Sequence, residues 1–364
     1  MIASPAGQGY PELESAPRRF QGIHAMHTGL PFDDIRALFL QLPEPDRNAA
    51  AAATAREQEL IKPRGALGRL EVISAHIAAW QGKARPVVNR PLVAIFAGSH
   101  GVAAKGVSAY PSEVNAAMLA SFSAGQAAIN QICKTFDLGL KVFDLAIAMP
   151  TADITEAAAL EEAACAATIG FGMEAIANGT DLLCLGEMGI GNTTPAAAIY
   201  AALYGGPAAD WVGRGTGVDD AGHARKVAAV EQALAFHRNH LKDPLEVLRR
   251  LGGREIAAMA GAILAARMER VPVILDGYVA TAAAAVLHVV DPASIAHCLA
   301  GHRSAEGAHA RVLEKLGLEP ILDLGMRLGE GSGAALAAGI VKAALACHNG
   351  MATFAEASVP DRPS

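Results

Sequence analysis

"LLCLGEMGIGNTTPAAAI", residues 182–199, has the pattern of a buried strand, a glycine-rich turn and an alanine-rich helix in succession. The apolar run at its start is typical of a strand in a parallel sheet that is covered on both faces. Three glycines between residues 186 and 191 permit a tight turn. Thr194 followed by Pro195 predicts the start of a helix, with a hydroxyl cap before a proline. The stretch therefore predicts one strand-to-helix unit of an α/β sheet.

The same strand pattern recurs along the chain. Short apolar runs that end in glycine or polar turns lie at 91–98, 140–147, 181–188, 271–277 and 320–329, with a weaker one at 295–302. Alanine-rich segments that predict helices lie between them, at 113–133, 155–178, 195–204, 221–240, 254–269 and 279–289. Strand and helix in repeated alternation predict a doubly wound parallel sheet flanked by helices.

The two ends of the chain fall outside this alternation. Residues 1–31 are rich in proline and glycine and are expected to form a flexible extension. Residues 32–85 and 331–364 have helical patterns and are predicted to form a second, smaller helical domain together. The large α/β domain is then expected to span residues 86–330.

Composition excludes several classes of protein. The net charge is −6 and Lys and Arg are scattered, so no binding of nucleic acid or of an anionic membrane surface is expected. No uninterrupted apolar segment reaches the ~18 residues of a membrane span. The five cysteines are far apart and form no C-x-x-C, which argues against a disulfide framework or a zinc site. We expect a soluble protein of the reducing cytoplasm.

Polar motifs follow directly on the predicted strands. They are "GSHG" (98–101), "GEMGIGNTT" (186–194), "DGY" (276–278), "GHRS" (301–304) and "LGEGSG" (328–333). The carboxyl ends of parallel strands meet at one edge of a sheet, where ligands bind against helix N-termini. These motifs therefore predict a single cleft.

The residue types in this cleft favour acid–base chemistry over other mechanisms. Glu187 and Glu330 both stand among glycines on the same edge, although a capped strand–helix turn without function remains an alternative for the first. A P-loop is unlikely on sequence grounds because Asn192 occupies the lysine position. Arg214 and Lys226 could neutralise a phosphate, or be ordinary surface charges.

Three further mechanisms lack their sequence signatures. "GRGTG" (213–217) and "GEGSG" (329–333) do not have the G-x-G-x-x-G spacing of a dinucleotide site. No G-x-S-x-G surrounds a serine, which argues against a serine hydrolase. His100, His302 and Asp276 fit no recognised ligand spacing, so no metal and no other cofactor is predicted.

Taken together, these motifs resemble those of the nicotinate-nucleotide–dimethylbenzimidazole phosphoribosyltransferases. The stretches that carry the resemblance are "KPRGALGRLE" (62–71), "FAGSHGVAAKGVSAYPSEV" (96–114), "GEMGIGNTTPAAA" (186–198), "GRGTGVDDAGHARK" (213–226), "EIAAMAGAILAA" (255–266), "VPVILDGYVATAAA" (271–284), "LGMRLGEGSGAALA" (324–337) and "MATFAEA" (351–357). They occur in order from about residue 32 to residue 359. Each glycine motif alone is weak, whereas eight in register are specific.

The resemblance implies a cytoplasmic homodimer with a Rossmann-like large domain and a small helical domain built from both chain ends. It also implies transfer of the 5-phosphoribosyl group of nicotinate mononucleotide to 5,6-dimethylbenzimidazole, without a metal. The products would be α-ribazole 5′-phosphate and nicotinate, a step in making the lower ligand of cobalamin.

The resemblance also assigns roles to residues. Glu330 of "RLGEGSG" would be the general base, with a pKa raised by its desolvating glycine pocket. Glu187 would be a second carboxylate that orients substrate or relays a proton through water. The remaining implied contacts are Gly189, Lys226, Ser304 and Gly333 on the nucleotide phosphate, Asp276 near the ribose and nicotinate, and Ser108, Tyr110 and Met118 at the benzimidazole.

The sequence departs from the family pattern mainly around the base pocket. Ser99 stands where Asp is usual, and Ala117 stands where many members have Gln. "DGYVAT" has Tyr278 and Ala280 where Phe and Ser are common. Adenine or another acceptor base, or a non-catalytic module that binds azoles or nucleotides, therefore remain as alternatives.

Overall fold

A six-stranded parallel sheet forms the centre of the computed structural model, which describes residues 29–360. The strands are β1 Pro91–Ala97, β2 Gly139–Asp144, β3 Leu182–Met188, β4 Val273–Leu275, β5 Cys298–His302 and β6 Pro320–Leu322. Their order across the sheet is β2-β1-β3-β4-β5-β6. The predicted parallel α/β fold is confirmed. Most of the expected flexible extension, residues 1–28, lies outside the described residues.

Helices connect the strands and cover both faces of the sheet. They are α1 Phe32–Leu38, α2 Arg47–Glu59, α3 Arg69–Gln81, α4 Val114–Ser123, α5 Ala128–Phe136, α6 Glu162–Met173, α7 Thr193–Tyr204, α8 Asp220–His237, α9 Pro244–Leu251, α10 Arg254–Met268, α11 Tyr278–Val290, α12 His309–Leu316 and α13 Ser332–Gly350. Within residues 29–360, none of these helices is long and apolar enough to cross a membrane.

Alternate residues of the strands build two hydrophobic layers. In β1, Val93 and Ile95 belong to a core formed with α3, α5 and α13, whereas Ala94 and Phe96 belong to a core formed with α6, α7, α10 and α11. Burial on both faces explains why β1 is continuously apolar in sequence, whereas the edge strand β2 is less buried and includes Lys141 and Asp144. The strand predictions are therefore sound in position, including the weaker run that forms β5.

Three local predictions are wrong. β6 ends at Leu322 because residues 323–331 form a loop with left-handed backbone at several positions, so the strand predicted at 320–329 is too long. Helix α7 begins at Thr193, since Asn192 already has helical backbone angles, and Thr194 is not its cap. The helix predicted over 113–133 is interrupted between α4 and α5.

The segments from the two chain ends pack against each other. Lys62 donates to Glu71 at 2.7 Å and pairs with Glu57, whose carboxylate is 2.7 Å from Nδ1 of His348. This buried network links the α2–α3 region to α13, which also lies along one face of the sheet. The division into a small domain of residues 32–85 with 331–364 and a large domain of 86–330 stays a prediction.

Candidate active site

The carboxyl ends of β3, β4 and β5 open into a cavity of about 360 Å³. The predicted cleft is therefore present, with loops 107–110, 214–218 and 327–330 as its other walls. Eight predicted site residues line it, namely Ser108, Tyr110, Met118, Glu187, Gly189, Lys226, Ser304 and Glu330. Asp276 and Gly333 are buried and do not line it.

Glu187, near the end of β3, is buried in the cavity wall. The side-chain amide of Asn192 donates to the carboxylate of Glu187. The backbone carbonyl of Glu187 accepts from the N–H of Glu330 at 3.2 Å. Burial and then the charge of Glu255 raise the pKa of Glu187 to about 8, against the lowering effect of the Asn192 bond. Glu187 therefore keeps its proton at neutral pH more readily than a surface carboxylate does.

Glu330 has an unfavourable backbone conformation. Its φ is +61°, between Gly329 at +81° and Gly331 at +74°, so three consecutive residues adopt left-handed geometry. Such geometry is costly for a residue with a Cβ and tends to occur where function requires it. Burial, followed by the charge of Asp276, raises the pKa of Glu330 to about 7. The side chain is thus suited to accept a proton near neutral pH.

The absence of a side chain at Gly329 leaves space for the carboxylate of Glu187. A Cβ at residue 329 would lie 2.6 Å from Oε1 of Glu187. We expect Gly329→Ala to displace this carboxylate, to lower kcat at least about tenfold, and to destabilise the fold by about 1–3 kcal/mol through its positive φ. Thermal melting and turnover measure the two effects.

Gly325 provides the matched control for this substitution. It lies in the same loop with φ +66°, and a Cβ there would meet no atom of the described residues within 4 Å. Gly325→Ala should therefore lose stability in the same way but keep its turnover. Equal losses of activity in both variants would contradict the steric role assigned to Gly329.

Asp276 holds the start of α13 in place. Its Oδ1 accepts from the N–H groups of Gly333 at 2.7 Å and Ala334 at 2.9 Å, and its Oδ2 accepts from Gly331 at 3.2 Å. Burial raises the pKa of Asp276, and His302 and these three N–H donors oppose that rise. Asp276 therefore fixes the loop that carries Glu330, and the N–H of Gly333 is already taken.

Lys226 places a buried cation at the cavity. Its side chain is 1% exposed, and Nζ donates to Oγ1 of Thr193 at 2.8 Å. In the part of the chain that the structure describes, no carboxylate oxygen lies within 4.0 Å of Nζ. Burial lowers the pKa of Lys226, and Glu306 partly offsets this effect. Because the N-terminus of α7 opens at the same wall, this part of the cavity suits an anion.

The cavity also contains functional candidates that sequence reasoning did not select. Glu306 accepts from the N–H of Gly215 at 3.0 Å, and a Cβ at Gly213 would lie 2.2 Å from its Oε1. The glycines of the 213–217 loop thus wrap around a carboxylate. Arg327 lines the rim and donates to the carbonyl of Gly215 at 3.1 Å. The signal for Glu306 was its place in "SAEGAH", two residues after Ser304.

The histidines considered for a metal site have different surroundings. Nε2 of His100 is 2.7 Å from Oε1 of Glu255, and neither of these buried residues lines the cavity. His302 lines the cavity, with Nε2 at 3.8 Å from Oδ1 of Asp276. Within residues 29–360, no group of three or more His, Cys, Asp or Glu side chains is arranged to hold a metal ion.

Replacement of the titratable Glu187 by glutamine should change the pH dependence of folding stability. Since its pKa is about 8 in the folded protein and near 4.5 when unfolded, the folded state holds an extra proton between about pH 5 and 8. The contribution of Glu187 to the free energy of unfolding therefore falls as pH rises through this window. We expect Glu187→Gln to flatten the decline in Tm across it. An unchanged slope in melting experiments from pH 5 to 8 would contradict the shifted pKa.

The fold and the cavity define an α/β enzyme whose paired carboxylates stand beside a buried lysine and a helix N-terminus. A family model described as phosphoribosyltransferase matches residues 42–359, which fixes the class. The nicotinate-nucleotide–dimethylbenzimidazole phosphoribosyltransferase of Methylocella silvestris is 68% identical over 329 residues, 90% of this chain and 96% of that protein. The protein of the same name from Sinorhizobium fredii is 67% identical over 335 residues, 92% of this chain and 99% of its own.

Solved structures agree. CobT from Thermus thermophilus superposes with a TM-score of 0.82 at 41% identity, over 86% of this chain and 100% of that one. A second structure from this organism is of a nicotinate-nucleotide–dimethylbenzimidazole phosphoribosyltransferase. It superposes with a TM-score of 0.80 at 39% identity, over 87% of this chain and 100% of that one. The chain belongs to the nicotinate-nucleotide–dimethylbenzimidazole phosphoribosyltransferase family.

Proposed function

We propose that this protein transfers the 5-phosphoribosyl group of nicotinate mononucleotide to 5,6-dimethylbenzimidazole. The products are α-ribazole 5′-phosphate, used in the lower ligand of cobalamin, and nicotinate. The observation that carries the proposal is the meeting of Glu330, Glu187 and Lys226 in one cavity. The names of the relatives at 66–68% identity support this substrate pair.

The proposed reaction needs a base but no strong acid. Nicotinate is a pyridinium in its nucleotide, so the C1′–N bond breaks with its electron pair going to the ring nitrogen, and the ring leaves uncharged. One azole nitrogen forms the new bond to C1′ on the opposite face, which converts a β-nucleotide into an α-ribotide. The other azole nitrogen loses its proton to Glu330. Orientation of both rings about the sugar supplies much of the rate.

The cavity offers separate places for the parts of the substrates. Lys226, Ser304 and the α7 N-terminus with Gly189 are the proposed phosphate contacts. The azole is proposed to lie against Ser108, Tyr110 and Met118, where Leu328 adds a further apolar side chain. Glu187 would orient substrate or relay the proton. Asp276 and Gly333 would act without lining the cavity, through the loop that they hold.

The direct test is release of nicotinate. The purified protein is incubated with nicotinate mononucleotide and dimethylbenzimidazole in the presence of a chelator, and the products are separated by chromatography. We expect equimolar nicotinate and α-ribazole phosphate. Adenine is assayed in parallel as the alternative acceptor. If neither acceptor gives nicotinate while the nucleotide still binds, the chain is a binding module and the proposal is wrong.

We further propose that the protein is a cytoplasmic homodimer that associates with neither nucleic acid nor membrane. In α4 only Asn115 and Phe122 are buried, while Ala116, Ala117 and Ala120 are exposed. Strand β2 lies beside this helix at an edge of the sheet. An apolar helix next to an open sheet edge is a surface that another copy of the chain can cover.

Ala120→Arg tests the proposed dimer. The native protein should sediment at about twice the 37.4 kDa mass of one chain. We expect Ala120→Arg to shift it toward the monomer, because a buried unpaired charge opposes association. Ala235→Arg, on the exposed surface of α8, is the control and should leave the mass unchanged. A native protein that sediments as a monomer at micromolar concentration would contradict the proposal.

A further inference from the structure

His302, the last residue of β5, is buried, and no residue of the described range 29–360 forms a hydrogen bond with its ring. Its side chain is 1% exposed yet lines the cavity. In the part of the chain that the structure describes, neither Nδ1 nor Nε2 has a hydrogen-bond partner. The neighbouring His309 contrasts with it, since Nδ1 accepts from the N–H of Ser304 and Nε2 is 3.0 Å from Oγ1 of Thr281. His302 is therefore available for a ligand.

Two glycines make room for the imidazole of His302. A Cβ at Gly333 would lie 2.0 Å from its Cδ2, and a Cβ at Gly277 would lie 3.1 Å from its Nε2. Among the described residues, Asp276 has the one carboxylate within 4.0 Å of a ring nitrogen, with Oδ1 3.8 Å from Nε2, beyond hydrogen-bond distance. That carboxylate is already satisfied by three backbone N–H donors. The surrounding chain thus holds the ring in place without completing its hydrogen bonds, which leaves both ring nitrogens free to bond a group that enters the cavity.

We infer that His302 binds the 2′,3′-hydroxyl pair of the ribose, an inference that rests on the proposed phosphoribosyl transfer. A neutral imidazole has one donor and one acceptor nitrogen, which matches a hydroxyl that can also do both. The buried carboxylate of Asp276 would repel a second anion at this place, so neither the phosphate nor the carboxylate of nicotinate suits it. The sugar is the uncharged polar part of the nucleotide.

The position of His302 relative to the other proposed contacts agrees with this assignment. Ser304, proposed for the phosphate, is two residues away along the chain, and Asp276 anchors the loop of Glu330. A sugar lies between its phosphate and the atom that reacts. Contacts to sugar hydroxyls strengthen as the ring gains oxocarbenium character. We therefore expect loss of the His302 contact to lower kcat as well as to raise KM.

The test is a cycle that compares two enzymes on three nucleotides. Transfer to dimethylbenzimidazole is measured for the native protein and for His302→Ala, with nicotinate mononucleotide and with its 2′-deoxy and 3′-deoxy forms. We expect His302→Ala to lower kcat/KM roughly 10- to 100-fold with the natural nucleotide. With at least one deoxy nucleotide, His302→Ala should lower kcat/KM less than about threefold, because that nucleotide lacks the hydroxyl that His302 would contact.

Two further variants separate binding from general damage. His302→Asn keeps a donor and an acceptor and should recover part of the activity. His237→Asn replaces another buried histidine, bonded to the carbonyl of Ile154 away from the cavity, and should leave kcat/KM unchanged. Equal losses by His302→Ala on all three nucleotides would overturn the assignment. Nicotinamide mononucleotide is assayed in addition, and a loss that disappears only with it would also overturn the assignment, since the ring would then contact the carboxylate of nicotinate.

The same cycle can be measured on dissociation constants by titration calorimetry. It then needs no turnover and tests His302 even if the acceptor is misassigned. Absence of turnover by the native protein would refute the proposed reaction, whereas coupling between His302 and a hydroxyl in the calorimetric cycle would still support the contact. Binding of the natural and deoxy nucleotides with no such coupling, or no binding of any nucleotide, would overturn the inference about His302.

Discussion

Glu330→Gln is expected to lower kcat by about 10²–10⁴-fold while the protein stays folded. Glutamine has nearly the same shape but cannot accept the proton that leaves the azole. The residue is buried and its carboxyl pKa is about 7, so the substitution also removes a charge that is unfavourable inside the fold. Turnover is measured by nicotinate release at saturating substrates, and folding by thermal melting.

The pH dependence of turnover provides a second measure of the same role. A general base acts in its ionised form, so activity of the native protein should rise with pH and level off above the Glu330 pKa of about 7. The residual activity of Glu330→Gln should lack this rise. Glu187→Gln is the comparison, and it should cost less in kcat because Glu187 is not the proposed acceptor. Unchanged turnover in Glu330→Gln would exclude Glu330 as the base.

The central strands could be predicted from sequence because burial on both faces requires apolar residues at successive positions. β1 is apolar throughout, and β3 is apolar up to Leu185, where Gly186 and Glu187 follow. Helix boundaries were less predictable. Asn192 takes helical angles one residue before Thr193, a choice set by the tertiary position of the turn rather than by capping preference.

The site could be located from sequence but its electrostatics could not. Glycine-flanked Glu187 and Glu330 follow strands, and parallel topology alone brings such ends together. Their pKa values depend first on burial and then on the charges of Glu255 for Glu187 and Asp276 for Glu330, which belong to other elements. The strand predicted over 320–329 includes residues 323–329, which form a loop, so Arg327 and Leu328 were not predicted as cavity residues. The partnerless state of His302 is a property of three-dimensional packing and leaves no pattern in the chain.

Lys226→Met is expected to weaken nucleotide binding and to stabilise the free protein. The ammonium is buried, bonded to Thr193 and, within residues 29–360, has no carboxylate within 4.0 Å. Loss of a buried charged partner costs about 2–5 kcal/mol, so KM for nicotinate mononucleotide should rise roughly 30- to 3000-fold. Methionine preserves the apolar stem and removes a desolvated charge, which should raise the Tm of the protein without nucleotide.

The two effects of Lys226→Met together distinguish a phosphate contact from a structural lysine. A lysine that holds the fold together would lower Tm on replacement, whereas one kept for an anionic ligand raises it and loses the stabilisation that the ligand gives. Nicotinate mononucleotide should therefore raise the Tm of the native protein more than that of Lys226→Met. Lys342→Met, which removes a bond to the carbonyl of Phe136 away from the cavity, should leave KM unchanged. A native KM in Lys226→Met would remove Lys226 from the phosphate site, and the N-terminus of α7 would have to hold the phosphate without it.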